Sequence, residues 1–401
     1  MPHRNQRYET SPGSDIKKCV RCGSCKAHCQ TYAENPVEMR GARGRLTLLQ
    51  GLFDGRTAPS KLLNEHINSC ILCGACNRSC PLGIDLMEAL YHGRSVLKKS
   101  DRRRSILRAL TKLSIAWPDM AYKAMQMGQR SVMPALVRMG IIPAMPELPE
   151  APLRNADQVF KTQRKKRGRV AVFTGCSVNY IYPQFGESLI HVLHRLDYEV
   201  ILPKGETCCG SPLRGLGLED EAVEQAKRNY GVFSRLKVDA ILSLCPTCTM
   251  TLKNEYPKMI GKGLDQAMDI STFFIDKLDH TDMIQKKAFF HDPCHLSFGL
   301  GVTKEPREII TRAGVELVGP EQSGCCGFGG LFCMSNKELS GDLLKSRVAA
   351  IDASGADTVI TSCPGCIMQL SRGVTDRPVI HLIELIEDAF YFRGEEQGTL
   401  F

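Results

Sequence analysis

Ten cysteines in the second half of the chain form two sets with the same internal spacing. In each set a single cysteine precedes a Cys-Cys-Gly triplet, and a Cys-Pro-x-Cys unit follows it. Cys176 and Cys294 are 118 residues apart, and Cys208 and Cys325 are 117 apart. Thiolates grouped in this way are ligands for soft metal ions. The pattern therefore predicts a duplicated domain with one metal site in each copy. The first set is Cys176, Cys208, Cys209, Cys245 and Cys248, and the second set is Cys294, Cys325, Cys326, Cys363 and Cys366.

Eight further cysteines near the N-terminus form two runs with the spacing C-x2-C-x2-C-x3-C. The runs are Cys19, Cys22, Cys25, Cys29 and Cys70, Cys73, Cys76, Cys80. Bacterial-type ferredoxins use this spacing, and there the fourth cysteine of each run binds the cluster of the other run. We therefore predict two 4Fe–4S clusters. One would be held by Cys19, Cys22, Cys25 and Cys80, and the other by Cys70, Cys73, Cys76 and Cys29.

Zinc sites and disulfides are the competing explanations for a chain with 19 cysteines. Zinc usually takes pairs of cysteines from two separated CxxC units, which the N-terminal runs do not resemble. A disulfide framework is typical of small secreted proteins, but the cysteine total here is odd and the polar N-terminus carries no secretory signal. No stretch approaches the roughly 18 apolar residues of a membrane span. The composition favours a protein of a reducing compartment, and we predict a cytoplasmic location.

Each set in the second half offers five thiols, one more than the four that a cubane cluster requires. The fifth thiol could be structural, could form a redox disulfide with a neighbour, or could bind an expanded, non-cubane cluster. His295 directly follows Cys294 and could donate to a cluster sulfur, although a structural role is the simpler interpretation. Cys333 lies outside both sets, and we predict that it is a buried thiol.

Alternating strands and helices are expected to position the cysteines of the two sets. From residue 169 onward, short apolar runs alternate with helical stretches, which predicts parallel sheets. In such sheets, ligands collect at the carboxyl ends of the strands, where the cysteines fall in this chain. The predicted fold class is α/β plus α+β, with an N-terminal helical two-cluster ferredoxin-like domain followed by a duplicated α/β cysteine-rich domain.

The domain boundaries follow from these patterns. We predict a ferredoxin-type domain at 1–95, a helical region and basic linker at 96–168, and cysteine-rich repeats at 169–280 and 281–401. A helix between Gly41 and Gly55 should separate the two N-terminal runs. The nearby Arg40, Arg43 and Arg45 could neutralise cluster charge, but we favour surface positions. The methionines between Met120 and Met145 are interpreted as core residues, with a docking face for a partner as the alternative.

The formal net charge of +9 is unevenly distributed. Basic clusters occur at 98–104 and at 161–169. We interpret them as solvated linker charges, with docking to an acidic partner subunit or to anionic lipid headgroups as the alternative. No nucleic acid is expected as a partner, because no recognition helix or aromatic stacking pattern accompanies these charges. No dinucleotide fingerprint follows a predicted strand, so hydride chemistry would require another subunit.

Together these motifs resemble the iron–sulfur subunit of bacterial glycolate oxidase, a family related to the catalytic subunit of heterodisulfide reductases. The resemblance extends from Cys19 to Cys366 and includes the phrases MRGARGRL, DPCHL and SCPGC. It implies an FAD-containing dehydrogenase subunit as partner, a 2-hydroxy acid such as glycolate or lactate as the substrate of that partner, and a quinone or other electron acceptor. It also allows peripheral contact with the cytoplasmic face of the inner membrane.

The resemblance also bears on the two sets of five cysteines. In heterodisulfide reductases both sets bind non-cubane clusters that cleave a disulfide, which implies one or two further iron–sulfur clusters in this chain. The predicted function is that of an electron-transfer subunit without catalytic residues of its own. The alternatives are a heterodisulfide-reductase-like catalyst and a zinc-bound scaffold protein.

Overall fold

The computed structural model describes residues 15–100, 102–154, 157–162, 165–279, 286–321 and 324–396. The polar N-terminal segment, which we expected to carry no secretory signal, lies outside these residues, as does part of the second basic cluster. The described chain combines an N-terminal helical part, a group of middle helices and two sheets with helices around them. The predicted mixture of helix and sheet is therefore confirmed.

The N-terminal part packs its helices around an apolar core that includes Leu49, Ile67 and Leu90. The helix expected between Gly41 and Gly55 is present as α3 and lies between the two cysteine runs. The helices are α1 (Ser24–Ala27), α2 (Gln30–Glu34), α3 (Ala42–Phe53), α4 (Lys61–Asn68), α5 (Ala75–Arg78) and α6 (Leu86–Leu97), with 3-10 turns at Glu38–Arg40 and Lys98–Ser100.

The middle helices are α7 (Arg102–Ala116), α8 (Pro118–Gln129) and α9 (Met133–Arg138). Proline lies in the first turn of α8 and of α9, where its missing N–H costs nothing because that group has no partner within the helix. The interpretation of the methionines as core residues is wrong for Met120, Met127 and Met139, which are exposed. Among the described helices, none combines the length and the apolar character that crossing a membrane requires.

The first sheet has the strand order β1-β3-β2-β4-β5. Its central strands are parallel, as the strand–helix alternation predicts. The strands are β1 (Gln158–Phe160), β2 (Gly168–Val172), β3 (Tyr198–Leu202), β4 (Ala240–Ser243) and β5 (Ala267–Asp269). The helices are α10 (Gly175–Tyr180), α11 (Pro183–Arg195), α12 (Ser211–Gly215), α13 (Glu219–Phe233), α14 (Pro246–Met250), α15 (Tyr256–Ile260) and α16 (Ile270–Phe274), with a π-helix at Thr251–Glu255.

Strand β1 departs from the sequence prediction, because it lies in the stretch interpreted as a linker. It pairs antiparallel with β3 at the edge of the first sheet. The strand has only three residues, and Val159 in its centre is half exposed. A short edge strand with one buried face has too little apolar alternation to be detected in a sequence that is rich in proline and basic residues.

The second sheet is entirely parallel, with the strand order β7-β6-β8-β9. The strands are β6 (Lys287–Phe290), β7 (Glu316–Leu317), β8 (Thr358–Thr361) and β9 (Val379–His381). The helices are α17 (Lys304–Arg312), α18 (Phe332–Ser335), α19 (Lys337–Ala353), α20 (Pro364–Leu370) and α21 (Leu382–Glu396), with a π-helix at His295–Leu300.

The two sheets share one apolar core. Val172 of the first sheet and Phe290 of the second belong to the same buried cluster. Helix α11 of the first repeat packs against α21 at the end of the second, and α16 packs against α17 in the same way. Because each repeat covers a face of the other, the two cysteine-bearing edges are held next to each other.

Candidate metal centres

The two N-terminal cysteine runs have the same unusual backbone. Arg21 and Leu72, which lie between the first two cysteines of their runs, have φ angles of 58° and 61°. Gly23 and Gly74, which follow the second cysteines, have φ angles of 90° and 81°. The N–H groups of Arg21 and Leu72 donate to the first sulfur of their own run at 3.4 Å. Such loops turn backbone N–H groups towards the sulfurs and form a cradle for an anionic cluster.

The first run contributes three of its cysteines to a cavity at the edge of the N-terminal part. Cys19, Cys22 and Cys25 line this cavity together with Cys80, the last cysteine of the second run. Burial and repulsion from the other three thiols raise the pKa of Cys25 to about 11. Four thiolates at this spacing repel one another unless a cation lies between them. The donor set therefore fits a metal cluster.

The second run contributes three cysteines to a deeper cavity. Cys70, Cys73 and Cys76 line it together with Cys29, the last cysteine of the first run. Burial and repulsion from Cys70 and Cys29 raise the pKa of Cys76 well above its usual value. Cys76 also borders the cavity at the edge, so the two cavities share a wall. The fourth cysteine of each run thus lies with the first three of the other run.

Arg45 corrects the expectation that the arginines near the first run lie at the surface. Its guanidinium is 1% exposed and lies 4.0 Å from the sulfur of Cys29. The group donates to the carbonyl of His66 at 3.1 Å and to the hydroxyls of Thr31 and Ser69 at 3.0 and 2.9 Å. A buried cation at this position would compensate the negative charge of a thiolate-bound cluster. Sequence periodicity could not identify it, because its face of α3 is covered by segments that precede and follow this helix in the chain.

The cysteines of the two repeats lie beyond the carboxyl ends of the parallel strands. Cys176 follows β2 in the first turn of α10, and Cys245 directly precedes α14 after β4. The Cys-Cys pairs come from longer loops, and the glycine after each pair has a positive φ of 95° at Gly210 and 87° at Gly327. Backbone carbonyls of Ala222 and Ser340 lie close to these glycines. Both the positive φ angle and the lack of space for a Cβ atom therefore favour glycine at these positions.

The second set also includes a histidine that the sequence analysis missed. His291 directly follows β6 and is buried, and its ligand nitrogen and the sulfurs of Cys326 and Cys366 lie within 4.8 Å of one another. The Nδ1 atom of His291 has no hydrogen-bond partner among the residues that the structure describes. The corresponding residue of the first repeat is Phe173. The first set can therefore offer only sulfur, whereas the second can offer sulfur and nitrogen. The signal available in the sequence was a histidine at a predicted strand end.

A buried arginine accompanies the second set as well. Arg347 in α19 lies beside Cys325 and Cys326 and is 8% exposed. Its guanidinium approaches Gly324 so closely that a Cβ atom there would lie 2.5 Å from Nη2. Like Arg45, this side chain places a fixed positive charge where a thiolate-bound cluster would be negative.

The two sets meet at the centre of the molecule. The thiols of Cys245 in the first repeat and Cys363 in the second are close enough to interact. The helix that follows Cys245 packs against the π-helix that follows Cys294, and Thr247 contacts His295 Nδ1 at 2.7 Å across this boundary. The two sets of five thiols are thus adjacent in space.

The deeper N-terminal cavity lies directly beside the second set. Cys73 is close enough to Cys294 for their charges to interact. The side chain of Gln30 accepts a hydrogen bond from the backbone N–H of Cys325 at 2.9 Å, and His295 Nε2 contacts the carbonyl of Leu72 at 2.8 Å. His295 therefore joins three parts of the chain, which agrees with the structural role that we favoured.

The remaining cysteine, Cys333, lies outside all four groups. It is buried, as predicted, and its thiol donates to the carbonyl of Gly330 at 3.2 Å. All 19 cysteines lie in the described residues, and none of them forms a disulfide.

Substitution of Gly327 by alanine should destabilise the second set selectively. The new Cβ atom would lie 2.5 Å from the carbonyl oxygen of Ser340, in addition to the strain of a positive φ. Gly355→Ala is a matched control, because Gly355 also has a positive φ of 67°, but a Cβ atom added there would have no neighbouring group within 4 Å. We expect the control to lose about 1 kcal/mol of stability and to keep its iron. Gly327→Ala should lose more stability and bind less iron and sulfide, as measured by chemical analysis and urea unfolding. Equal iron contents in the two variants would contradict this expectation.

Comparison with known proteins agrees with this arrangement. A family model described as a 4Fe-4S dicluster domain matches residues 15–84, and one described as a cysteine-rich domain, CCG, matches residues 170–253 and 288–371. These ranges contain all 19 cysteines, including Cys333, which lies in the second CCG range but outside its set of five.

Three relatives match the chain over nearly its full length. A subunit of the fumarate reductase (CoM/CoB) of Methanothermobacter marburgensis is 30% identical over 96% of this chain and 75% of its own. The probable glycolate oxidase iron–sulfur subunit of Bacillus subtilis is 25% identical over 96% of both chains. A subunit of the dihydromethanophenazine:CoB–CoM heterodisulfide reductase of Methanosarcina barkeri is 27% identical over 94% of both chains. The chain belongs to the family of iron–sulfur proteins in which a 4Fe-4S dicluster domain precedes two cysteine-rich CCG domains, the family that includes the glycolate oxidase iron–sulfur subunits and this heterodisulfide reductase subunit.

Proposed function

We propose that the chain is the iron–sulfur electron-transfer subunit of a flavin-linked 2-hydroxy-acid dehydrogenase that oxidises glycolate or lactate. Relatives named glycolate oxidase iron–sulfur subunit and lactate utilization protein support this proposal. The partner subunit would carry FAD and would oxidise the substrate, and the chain would exchange electrons with it and with a quinone or another acceptor. No residue of the chain itself is proposed to touch the hydroxy acid.

The proposed ligands are the 18 cysteines of the four groups. We assign one 4Fe–4S cluster to Cys19, Cys22, Cys25 and Cys80, and a second to Cys29, Cys70, Cys73 and Cys76. One or two further clusters would be held by the two CCG sets. When bound, these clusters would accept and donate single electrons. The division into parts at 1–95, 96–168, 169–280 and 281–401 remains our proposal for the domains, although β1 joins the first sheet from the segment before 169.

One observation carries the proposal: the four thiol groups follow one another in a continuous line through the protein. The order is the edge cavity, the deeper cavity, the second set and the first set, and each neighbouring pair shares a wall or a thiol contact. Cys22, at one end of this line, has an exposed side chain. A continuous line of thiol groups suits a protein that receives electrons at one group and passes them on at another.

The chain's own residues would keep this path insulated and compensate its charge. Arg45 and Arg347 are buried beside the second and third groups, and their guanidinium groups favour a more negative metal centre. The backbone N–H groups of Arg21, Leu72 and Gly327 donate to cysteine sulfurs. Hydrogen bonds of this kind raise the reduction potential of a cluster above that of a cluster whose sulfurs accept fewer hydrogen bonds.

The proposal is tested with the protein in its native complex, isolated without oxygen. Addition of glycolate or lactate should bleach the visible iron–sulfur absorption and produce the electron paramagnetic resonance signals of reduced clusters. The chain separated from its flavoprotein should show neither change with the hydroxy acid, but should still be reduced by dithionite. Zinc without iron and sulfide, or a complex that contains no flavin, would contradict the proposal.

A second candidate function is reduction of a disulfide at a CCG set. It is favoured by the five thiols in each set, including two adjacent ones, and by the likeness to the heterodisulfide reductase subunit of Methanosarcina barkeri. The two candidates differ in one measurement. A disulfide-reducing chain should cleave an added disulfide when it is supplied with electrons by dithionite-reduced viologen, and Cys325→Ala should abolish that activity. Our first proposal predicts no cleavage by either form.

A further inference from the structure

The middle helices carry an exposed apolar surface that electron transfer does not use. Among the described residues, 16 large apolar side chains are exposed, and nine of these lie between residues 106 and 141. Of the remaining seven, six are distributed between residues 20 and 96, and the seventh is Val159. Isolated exposed apolar residues are ordinary, but a concentration of this kind marks a surface that binds something. We call this surface the apolar face, and it consists of Ile106, Leu110, Leu113, Trp117, Met120, Met127, Val132, Met139 and Ile141.

The apolar face of α7 has strict helical spacing. Ile106, Leu110, Leu113 and Trp117 are separated by four, three and four residues, which places them along one side of the helix. The opposite side packs against the first repeat through Leu107 and Ile115. Helix α7 therefore carries two apolar stripes, one that packs against the protein and a second that faces solvent.

Helix α8, which packs against α7, also exposes apolar side chains. Met120 and Met127 are separated by seven residues and are exposed, whereas Tyr122 on the inner side is buried. The inner side is fixed by hydrogen bonds of the Gln126 and Gln129 amides to the carbonyls of Pro149 and Pro146, at 2.5 and 3.1 Å. Because these hydrogen bonds fix the inner side of α8 against the protein, the fold itself keeps the two methionines exposed.

The same segment carries almost all of the net charge of the protein. Residues 98–141 contain ten Lys and Arg residues and two Asp residues, a formal charge of +8, while the whole chain has +9. One of the two acids, Asp119, accepts a hydrogen bond from Tyr180. Lys123 lies beside Met120 and Met127 on α8 and is exposed. Two of the ten cations, Lys112 and Arg130, are paired with Glu221 and Glu147. An apolar stripe with an exposed lysine beside it, in a segment of net positive charge, is complementary to a layer that has anionic groups at its surface and apolar chains beneath them.

We infer that the apolar face of α7 and α8 binds to the surface of a lipid bilayer that contains anionic headgroups. The helices would lie in the plane of the interface, with Ile106, Leu110 and Leu113 among the acyl chains and cations such as Lys123 among the headgroups. Trp117, at the junction of the two helices, has the ring type that prefers the depth between headgroup and acyl chain. This inference does not depend on the proposed electron-transfer function.

Tryptophan fluorescence provides a direct test, because Trp117 is the single tryptophan of the chain. The holoprotein is mixed with vesicles of phosphatidylcholine that contain about one-third phosphatidylglycerol. The emission maximum should shift to shorter wavelength, and the protein should sediment with the vesicles. Pure phosphatidylcholine vesicles should bind more weakly, and high salt should weaken binding to the anionic vesicles because it screens the headgroup charge.

Two variants with the same Leu→Glu substitution test whether the apolar face, rather than any exposed apolar side chain, binds the vesicles. Leu110→Glu replaces a side chain that is 59% exposed on the apolar face, and Leu62→Glu replaces one that is 61% exposed on α4. Both positions face solvent, so both variants should fold and keep their visible iron–sulfur spectrum. Leu110→Glu should lower vesicle binding about tenfold or more, because a charge enters the acyl region, while Leu62→Glu should bind as the unchanged protein does.

Other outcomes would overturn the inference. Equal vesicle binding by the two variants would show that the apolar face is not the contact. A shift in Trp117 emission that depends on protein concentration without vesicles would assign the face to a second copy of the chain. Loss of the flavoprotein from the Leu110→Glu complex, together with no vesicle binding by the unchanged protein, would assign it to the partner subunit.

Discussion

Replacement of Cys76 by serine is expected to lower the rate of electron transfer through the chain by about 100-fold or more. Loss of a residue that only hydrogen-bonds to a metal ligand typically lowers metal affinity or activity roughly 10- to 100-fold. Loss of a ligand itself should lower them further. Serine offers a harder oxygen donor that suits iron–sulfur clusters poorly. Cys76 also borders both N-terminal cavities, so its loss should interrupt the line between them. The rate is measured by stopped-flow reduction of an acceptor by the complex with its hydroxy acid.

Cys333→Ser is the matched control for Cys76→Ser. Both residues are buried cysteines, but Cys333 lies outside the four thiol groups. Its thiol donates to the backbone carbonyl of Gly330 at 3.2 Å and belongs to neither set of five cysteines. The control should keep the full rate and the full iron content. If both variants transfer electrons at the original rate, the proposed line of clusters is wrong.

Replacement of Arg214 by methionine should lower the free energy of unfolding by about 3 to 5 kcal/mol, because it removes one partner of a buried ion-pair network. The Arg214 side chain is 1% exposed and forms ion pairs with Glu88, Glu219 and Glu255 at 2.7 to 3.1 Å. It also covers the ring of Tyr91 at 4.1 Å. Glu88 belongs to the N-terminal part and the other two acids to the first repeat, so this arginine joins the two.

The loss of stability in Arg214→Met should increase with pH. Burial already raises the pKa of Glu255, and removal of the arginine should raise it further. A carboxyl group with a higher pKa in the folded state binds protons more tightly there than in the unfolded state, so stability falls as pH rises through that pKa. Urea unfolding at about pH 5 and about pH 8 should therefore give the larger deficit at the higher pH. Lys227→Ala is the control, because its pair with Glu224 is exposed, and it should unfold as the original protein does at both values.

Local features of the chain follow directly from residue type and spacing. The C-x2-C-x2-C-x3-C runs predicted the two N-terminal thiol groups, since three cysteines with two residues between each can bring their thiols together only in a tight loop. Strand–helix alternation predicted parallel sheets with cysteines at their carboxyl ends, and both sheets have parallel central strands. The helix between the two runs was found within two residues of its expected bounds. These signals are periodic or depend on neighbouring residues, so a single sequence contains them.

Other features were missed or misjudged because they depend on what covers a side chain. Arg45 resembles a surface residue in sequence, yet it is enclosed by Thr31, His66 and Ser69 from other segments. Met120 and Met127 have the spacing of core residues, yet nothing in the described chain covers them. Helical spacing predicts that one face is apolar, but it does not say whether that face meets protein or solvent.

The sequence by itself determined that the chain carries four groups of thiols, with two of them in duplicated domains. Only the tertiary structure decided their order in space. The deeper N-terminal cavity meets the second set through Cys73 and Cys294, although the first set is nearer in sequence. The two sets meet through Cys245 and Cys363, which are separated by a whole repeat. The physical reason is the shared core, because each repeat buries its helices against the other and so turns both cysteine-bearing edges to one centre.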